Sequence, residues 1–329
     1  MNSERQEDSI WREDPRFVSL SWNRAPLTTV SELSFATLLN EVPKFSRHPF
    51  SFGTERNPQL DTIVREPFKG DDVRIPVGIV SRTYCLVQHT ELVQLISDAL
   101  SKIGIDDSSI PVKLTMTEFG EWAQFTVSNV IPDHDPGDGY PLQFRFHVRN
   151  SVEGSSSLLI YFGWYRLICS NGLAIFEGDK LMQIHSMGRL KRAKIERFIE
   201  DRIRNSRHNL KEMEGWLQVR IDEDAVSECI DNEVKVRWGN LLAARLYHVY
   251  RTGFDGRVSQ REVKNTDPTK VSVSSDTPVP GLPDQPSKNL YHFYQCMLWF
   301  SRATDDHSER EKMAKFSFEL CRRLRGRSL

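Results

Sequence analysis

The chain lacks a long hydrophobic run. Its longest, residues 158–164, is far too short to cross a bilayer. The opening MNSERQEDSIWRED is polar and acidic, with no apolar segment behind a basic start, so the expectation is a cytoplasmic protein with no membrane association. Cysteine is sparse. The five, Cys85, Cys169, Cys229, Cys296 and Cys321, form no Cys-x-x-Cys pair, which argues against a disulfide framework. None of the nine histidines stands in an HxxxH or HExxH pattern, so no metal site is expected. Neither a phosphate-binding glycine loop with its lysine nor a dinucleotide fingerprint occurs, and no cofactor is expected. A surplus of one charge sign is missing too, because the formal net charge is −1. The molecule as a whole is therefore not a basic nucleic-acid binder.

The charge that is present is unevenly placed. Residues 1–14 and 221–233 are acid-rich, whereas 189–211 and 322–327 are basic. Between Arg189 and Lys211 stand Lys191, Arg192, Lys194, Arg197, Arg202, Arg204 and Arg207, opposed only by Glu196, Glu200 and Asp201. Apolar residues Ile195, Phe198, Ile199, Ile203 and Leu210 recur at helical spacing in the same stretch. This predicts an amphipathic helix with a cationic outer face, suited either to tracking phosphates or to lying solvated beside acidic neighbours.

The periodicities predict an α+β fold in which an antiparallel sheet is packed by helices. Residues 1–70 read as a partly irregular arm with one short helix near Ser31–Asn40, since Pro26, Pro43, Pro49 and Pro58 interrupt regular structure. A core domain is expected over 71–254. It begins with one bent or two short strands around "IPVGIVSRTYCLV", then a helix capped by Thr90 and stopped by Gly104. "KLTMTEFGEWAQFTVSNV" suggests two strands joined through Gly120-Glu121 in a tight type II′ turn. "LQFRFHVRN" alternates cleanly, with Leu142, Phe144, Phe146 and Val148 on one face and Gln143, Arg145, His147 and Arg149 on the other. "LLIYFGWYRLICS" is apolar on both faces, as a central strand covered on both sides should be. Asn171-Gly172 then supplies a turn into "LAIF". Residues 255–288 read as a Pro/Ser-rich linker, and 289–329 as two helices packing on the core.

Few residues carry chemistry. Cys169 is a candidate nucleophile only if His147 or His185 approaches it; otherwise it is a core thiol. "DHDPGDG" fails as a calcium loop, because its sixth residue from Asp133 is Asp138 and its twelfth is Phe144, where glycine and glutamate are required. If Phe144 and its partners face the core, Arg145, His147 and Arg149 share the other face with Trp122 of the preceding strand. Cations beside an exposed aromatic are what single-stranded nucleic acid needs.

The motifs "IPVGIVSRTYCLVQH", "RNSVEGSSS", "RLICSNGL" and "KLMQIH", in that order, resemble the phage/plasmid-like family that carries domain of unknown function 932. The likeness covers about residues 74–255 and recurs in "NLYHFYQCMLWFSR". The family pattern maps onto Arg166, Cys169, Ser170, Asn171 and Gly172, implying a buried thiol and a tight turn with no catalytic role. The resemblance implies a mobile-element setting, and the order of elements is loosely like Rad52-like annealing proteins by analogy.

Three readings stay open. The first is a single-stranded nucleic-acid-binding accessory protein, aiding annealing or recombination. Trp122, Arg145, His147 and Arg149 would form its platform, while Lys191, Arg192, Lys194, Arg197 and Arg204 track the phosphates. It requires both sets to line one groove, and a homo-oligomer is compatible with it. The second is a protein-interaction module that docks an acidic partner to modulate host defence or element maintenance. The third is an enzyme dependent on Cys169.

Overall fold

The computed structural model describes residues 27–137, 139–166, 173–183, 190–258, 263, 266–282, 288–301 and 307–327. Six strands build the main sheet: β1 (Leu27–Leu33), β5 (Val112–Thr117), β6 (Trp122–Ser128), β7 (Leu142–Ser151), β8 (Leu158–Arg166) and β9 (Leu173–Gln183). They lie in the order β1-β5-β6-β7-β8-β9, every neighbouring pair antiparallel. A separate three-stranded sheet holds β2 (Phe45–Phe52), β3 (Glu55–Arg65) and β4 (Ile75–Ser81). The α+β class follows directly.

The alternation in β7 is realised as expected. Leu142, Phe144, Phe146 and Val148 are fully buried, and the last three stand opposite Trp164, Phe162 and Ile160 of β8 across the ladder. Ring contacts between Phe144, Phe146, Phe162 and Trp164 knit this face together. Onto it pack α2 (His89–Lys102) and α3 (Arg192–Leu217), whose apolar stripes belong to the same cluster. The most enclosed element is α6 (Leu290–Ser301). It is buried on every side except at Trp299, and its mostly apolar surface carries His292 and Gln295 inward with it. Beside it run α5 (Lys235–Thr252) and α7 (His307–Arg327). Among the described residues no helix is long and apolar enough to cross a membrane.

Several expectations need correction. From residue 27 onward the supposed arm is β1, α1 (Phe35–Glu41, capped by Ser34), β2 and β3. Prolines misled the reading: β2 is an edge strand whose pairing is irregular beside Pro49, where a missing N–H is tolerated. After β4 the chain forms a loop rather than a second strand. Gln88, not Thr90, caps α2; its side chain reciprocates with Glu91 and also bonds the Phe45 backbone at 3.0 and 2.7 Å. The β5–β6 turn is not type II′, because Gly120 (φ 73°) closes a turn begun at Thr117 and its N–H donates to the Thr117 carbonyl. The supposed linker contains β11 (Ser274–Pro278), which pairs with β10 (Phe254–Arg257).

One departure had no sequence signal. Between α4 (Glu223–Cys229) and α5 runs a π-helical turn, Ile230–Val234, and α5 is broken at Gly239. With φ 83° and ψ 163°, Gly239 occupies a region essentially reserved for glycine. A β-carbon there would meet nothing within 4 Å, so the cost of adding one is conformational only. Gly239→Ala is expected to lose about 1–3 kcal/mol. Urea denaturation should show a lower midpoint at unchanged slope, and an unchanged midpoint would contradict the assignment.

Candidate functional site

Two cationic sets were anticipated, and each has a definite place. The first is the polar face of the main sheet. The register puts Gln124 opposite Arg149, Thr126 opposite His147, and Ser128 opposite Arg145, with Trp122 two residues before Gln124 on β6. On the other side of β7, Gly163, Tyr161 and Leu159 stand opposite Arg145, His147 and Arg149. Trp122, Arg145, His147 and Arg149 do share one face.

That face is not an open platform. His147 is 4% exposed and Trp122 5%, and Gln124, Thr126 and Tyr161 are buried with them. Both imidazole nitrogens of His147 are engaged: Nδ1 with the Thr126 hydroxyl at 2.9 Å, Nε2 with the Tyr165 hydroxyl at 2.7 Å. Tyr161 stacks on the same ring at 4.6 Å. Gly163 leaves room for the Arg145 guanidinium to lie 5.4 Å from the Tyr165 ring centre. Arg145 is half-buried, and this burial pulls its pKa down. An open aromatic surface at Trp122 is therefore withdrawn. Period-two alternation decides which residues share a face, not whether water reaches it. Tyr161 and Tyr165 of β8 complete the cluster, in keeping with a strand covered on both sides.

The second set lies on α3. Ile195, Ile199, Ile203, Leu210 and Met213 form its buried stripe. Phe198 touches Phe162 at 5.7 Å, and the Ser206 carbonyl accepts from Trp164 Nε1 at 3.1 Å. Phe162 and Trp164 belong to the apolar face of the sheet. The cationic helix and the arginine-bearing strand face are thus separated by the sheet itself. The common groove is not formed, for a simple reason. An amphipathic helix turns its apolar stripe to the apolar sheet face, and so its cations point away from both.

Lys191, Arg192, Lys194, Arg197, Arg204, Arg207 and Lys211 are all exposed. Arg192 lies 3.6 Å from Asp98, and Glu196 is taken up by Lys102. Among the described residues, no ion pair engages Lys191, Lys194, Arg197 or Arg204. Arg197, Arg204 and Lys211 are seven residues apart, so they fall almost on one line at intervals of about 10.5 Å.

The family-pattern residues Cys169, Ser170, Asn171 and Gly172 lie outside the described residues. Arg166 ends β8, paired with Leu142 and Leu173. Elsewhere Cys229, Cys296 and Cys321 are buried. Burial pushes the Cys296 and Cys321 thiols up, which keeps them neutral, although His292 Nε2 is 3.6 Å from the Cys296 sulfur. In the 133–139 loop, Asp135 accepts from the N–H groups of Gly137 and Gly139, an arrangement typical of a turn. Among the described residues no group of His, Cys, Asp and Glu is placed to hold a metal ion.

A family model described as domain of unknown function (DUF932) matches residues 76–267. No curated protein and no solved structure matches the chain.

Proposed function

This chain belongs to the DUF932 family, whose description assigns no activity, and we propose that it is a single-stranded nucleic-acid-binding accessory protein acting through the outer face of α3. The observation that carries the reading is the line of Arg197, Arg204 and Lys211. These long cations are exposed and regularly spaced, and the first two are unclaimed by any carboxylate among the described residues. Such a line presents charge to a phosphate backbone without reading bases. The sheet cluster around His147 has a different role in this reading, namely to hold β6, β7 and β8 rigid beneath the helix. We further propose a mobile-element setting in which the protein assists annealing or recombination.

The test is fluorescence anisotropy with a labelled single-stranded oligonucleotide across a salt series. Binding should weaken steeply with salt. Reversing all three charges (Arg197→Glu, Arg204→Glu, Lys211→Glu) should weaken it at least about tenfold and lower the salt slope by about 2, alike for every sequence. The urea midpoint should move little, because exposed substitutions seldom matter to folding. An acidic protein is the other occupant this row would accept. Salt-insensitive or absent oligonucleotide binding, together with a stoichiometric partner recovered after nuclease treatment, would transfer the surface to that reading.

A further inference from the structure

The row on α3 does not stop at Lys211. Gly215 lies four residues on along the same face, and the Arg325 guanidinium of α7 sits over it, 3.3 Å from where a β-carbon would stand. Glu212 pairs with Arg322 of α7 at 3.2 Å, and Arg323 pairs with Glu233 of the π-helical turn. Arg325, Arg322 and Arg323 thus lead from the C-terminal part of α3 to a groove of about 450 Å³ that the last two line, each of those two paired with a carboxylate.

This groove has the parts of a base site. Arg237 is exposed, and its guanidinium lies over the Phe316 ring, 5.1 Å from the centroid. Phe316 is buried and lines the groove together with Arg237, whose guanidinium stands between that ring and solvent. Val236, 78% exposed, forms an apolar shelf beside it, and Asn232 offers an amide at the rim. The π-helical turn spans residues 230–234, and Asn232 within it and Val236 just after it line the groove; such turns recur at functional sites. Glu233 and Glu319 also line the groove, but Arg322 and Arg323 stay more than half exposed in their pairs with Glu212 and Glu233. Volume, a cation over a ring, an apolar shelf and these two arginines suit a nucleotide whose base is unpaired.

We propose that this groove takes one unpaired base of a strand bound along α3, stacked on the Arg237 guanidinium, with Arg322 and Arg323 beside the flanking phosphates. The inference rests on the polynucleotide reading and sharpens it, since a base held in a duplex cannot lie flat in such a groove.

The experiment compares Arg237→Lys, which keeps the charge but loses the plane, with the unaltered protein on two probes. One is a fluorescein-labelled oligothymidylate; the other is an abasic oligomer of equal length. The variant should bind oligothymidylate roughly fivefold more weakly or worse, and the abasic oligomer unchanged. Equal weakening on both probes, or none on either, would remove the base site while leaving the α3 reading intact. Failure of the unaltered protein to bind either probe would remove both. The triple charge reversal on α3 should weaken binding to both probes alike, and a loss confined to oligothymidylate would overturn the assignment of the two surfaces.

Discussion

Asp255→Ala is expected to cost the fold about 3–5 kcal/mol, the range for breaking a buried ion pair from one side. Asp255 opens the β10–β11 hairpin, and its side chain is 7% exposed. It accepts from Arg245 Nε at 2.9 Å and Nη2 at 2.6 Å, which ties the hairpin to α5. Trp299 Nε1 of α6 donates to it at 2.9 Å, and the Gly256 N–H at 2.7 Å. One carboxylate thus serves several donors from three elements. Its removal strands them in a place where water cannot substitute fully. Equilibrium urea denaturation measures the loss. A useful contrast is Lys315→Ala, which breaks an exposed pair with Glu319 at 3.9 Å and should cost below about 1 kcal/mol. Equal effects from the two substitutions would mean that the hairpin is not locked through Asp255.

Trp164→Ala should cost a similar amount, about 3–5 kcal/mol, through a different mechanism. Trp164 is fully buried on the apolar face, tilted against Phe144 at 5.1 Å. Truncation removes the indole area and leaves a cavity under α3, because the surrounding β-ladder cannot collapse to fill it. It also deprives the Ser206 carbonyl of its Nε1–H partner, at the middle of the helix that carries the cations. Trp164→Phe keeps most of the area and loses the hydrogen bond, so about 1–2 kcal/mol is expected from it. The functional corollary is measurable at low temperature, where the variant is still folded. On the proposed function, oligonucleotide affinity should fall for Trp164→Ala although no cation has been touched. A stability loss below about 1 kcal/mol would show that α3 is not anchored at this point.

What could be read from the residues divides along physical lines. The long periodic elements were legible: α3 through its apolar stripe, and β7 through its alternation. The strands before residue 70 were not, because Pro49 and Pro58 resemble breakers, whereas Pro49 lies on the edge strand β2 and Pro58 falls between the paired stretches of β3. β11 was hidden by Ser, Thr and Pro, whose polarity suits a two-stranded hairpin as well as a linker. The π-helical turn has no compositional mark at all, and the groove above it was invisible for that reason. The separation of the two cationic sets is itself legible. The stripe of α3 and the phenylalanines of β7 both had to face one core, which already put the helix cations on the far side from Arg145. Likewise the two-sided apolarity of β8 was in tension with an open platform at Trp122.

The central position of α6 bears on how the protein is made. The main sheet is complete at Gln183, yet the helix that fills the middle of the core starts only at Leu290. At ordinary ribosomal speed that interval lasts on the order of ten seconds. During it the nascent chain holds a sheet whose phenylalanine-rich side is shielded by α2 and α3 but not by α6. A newly emerging polypeptide in this condition is a natural client for chaperones, and a fragment ending before Leu290 should be sticky rather than native.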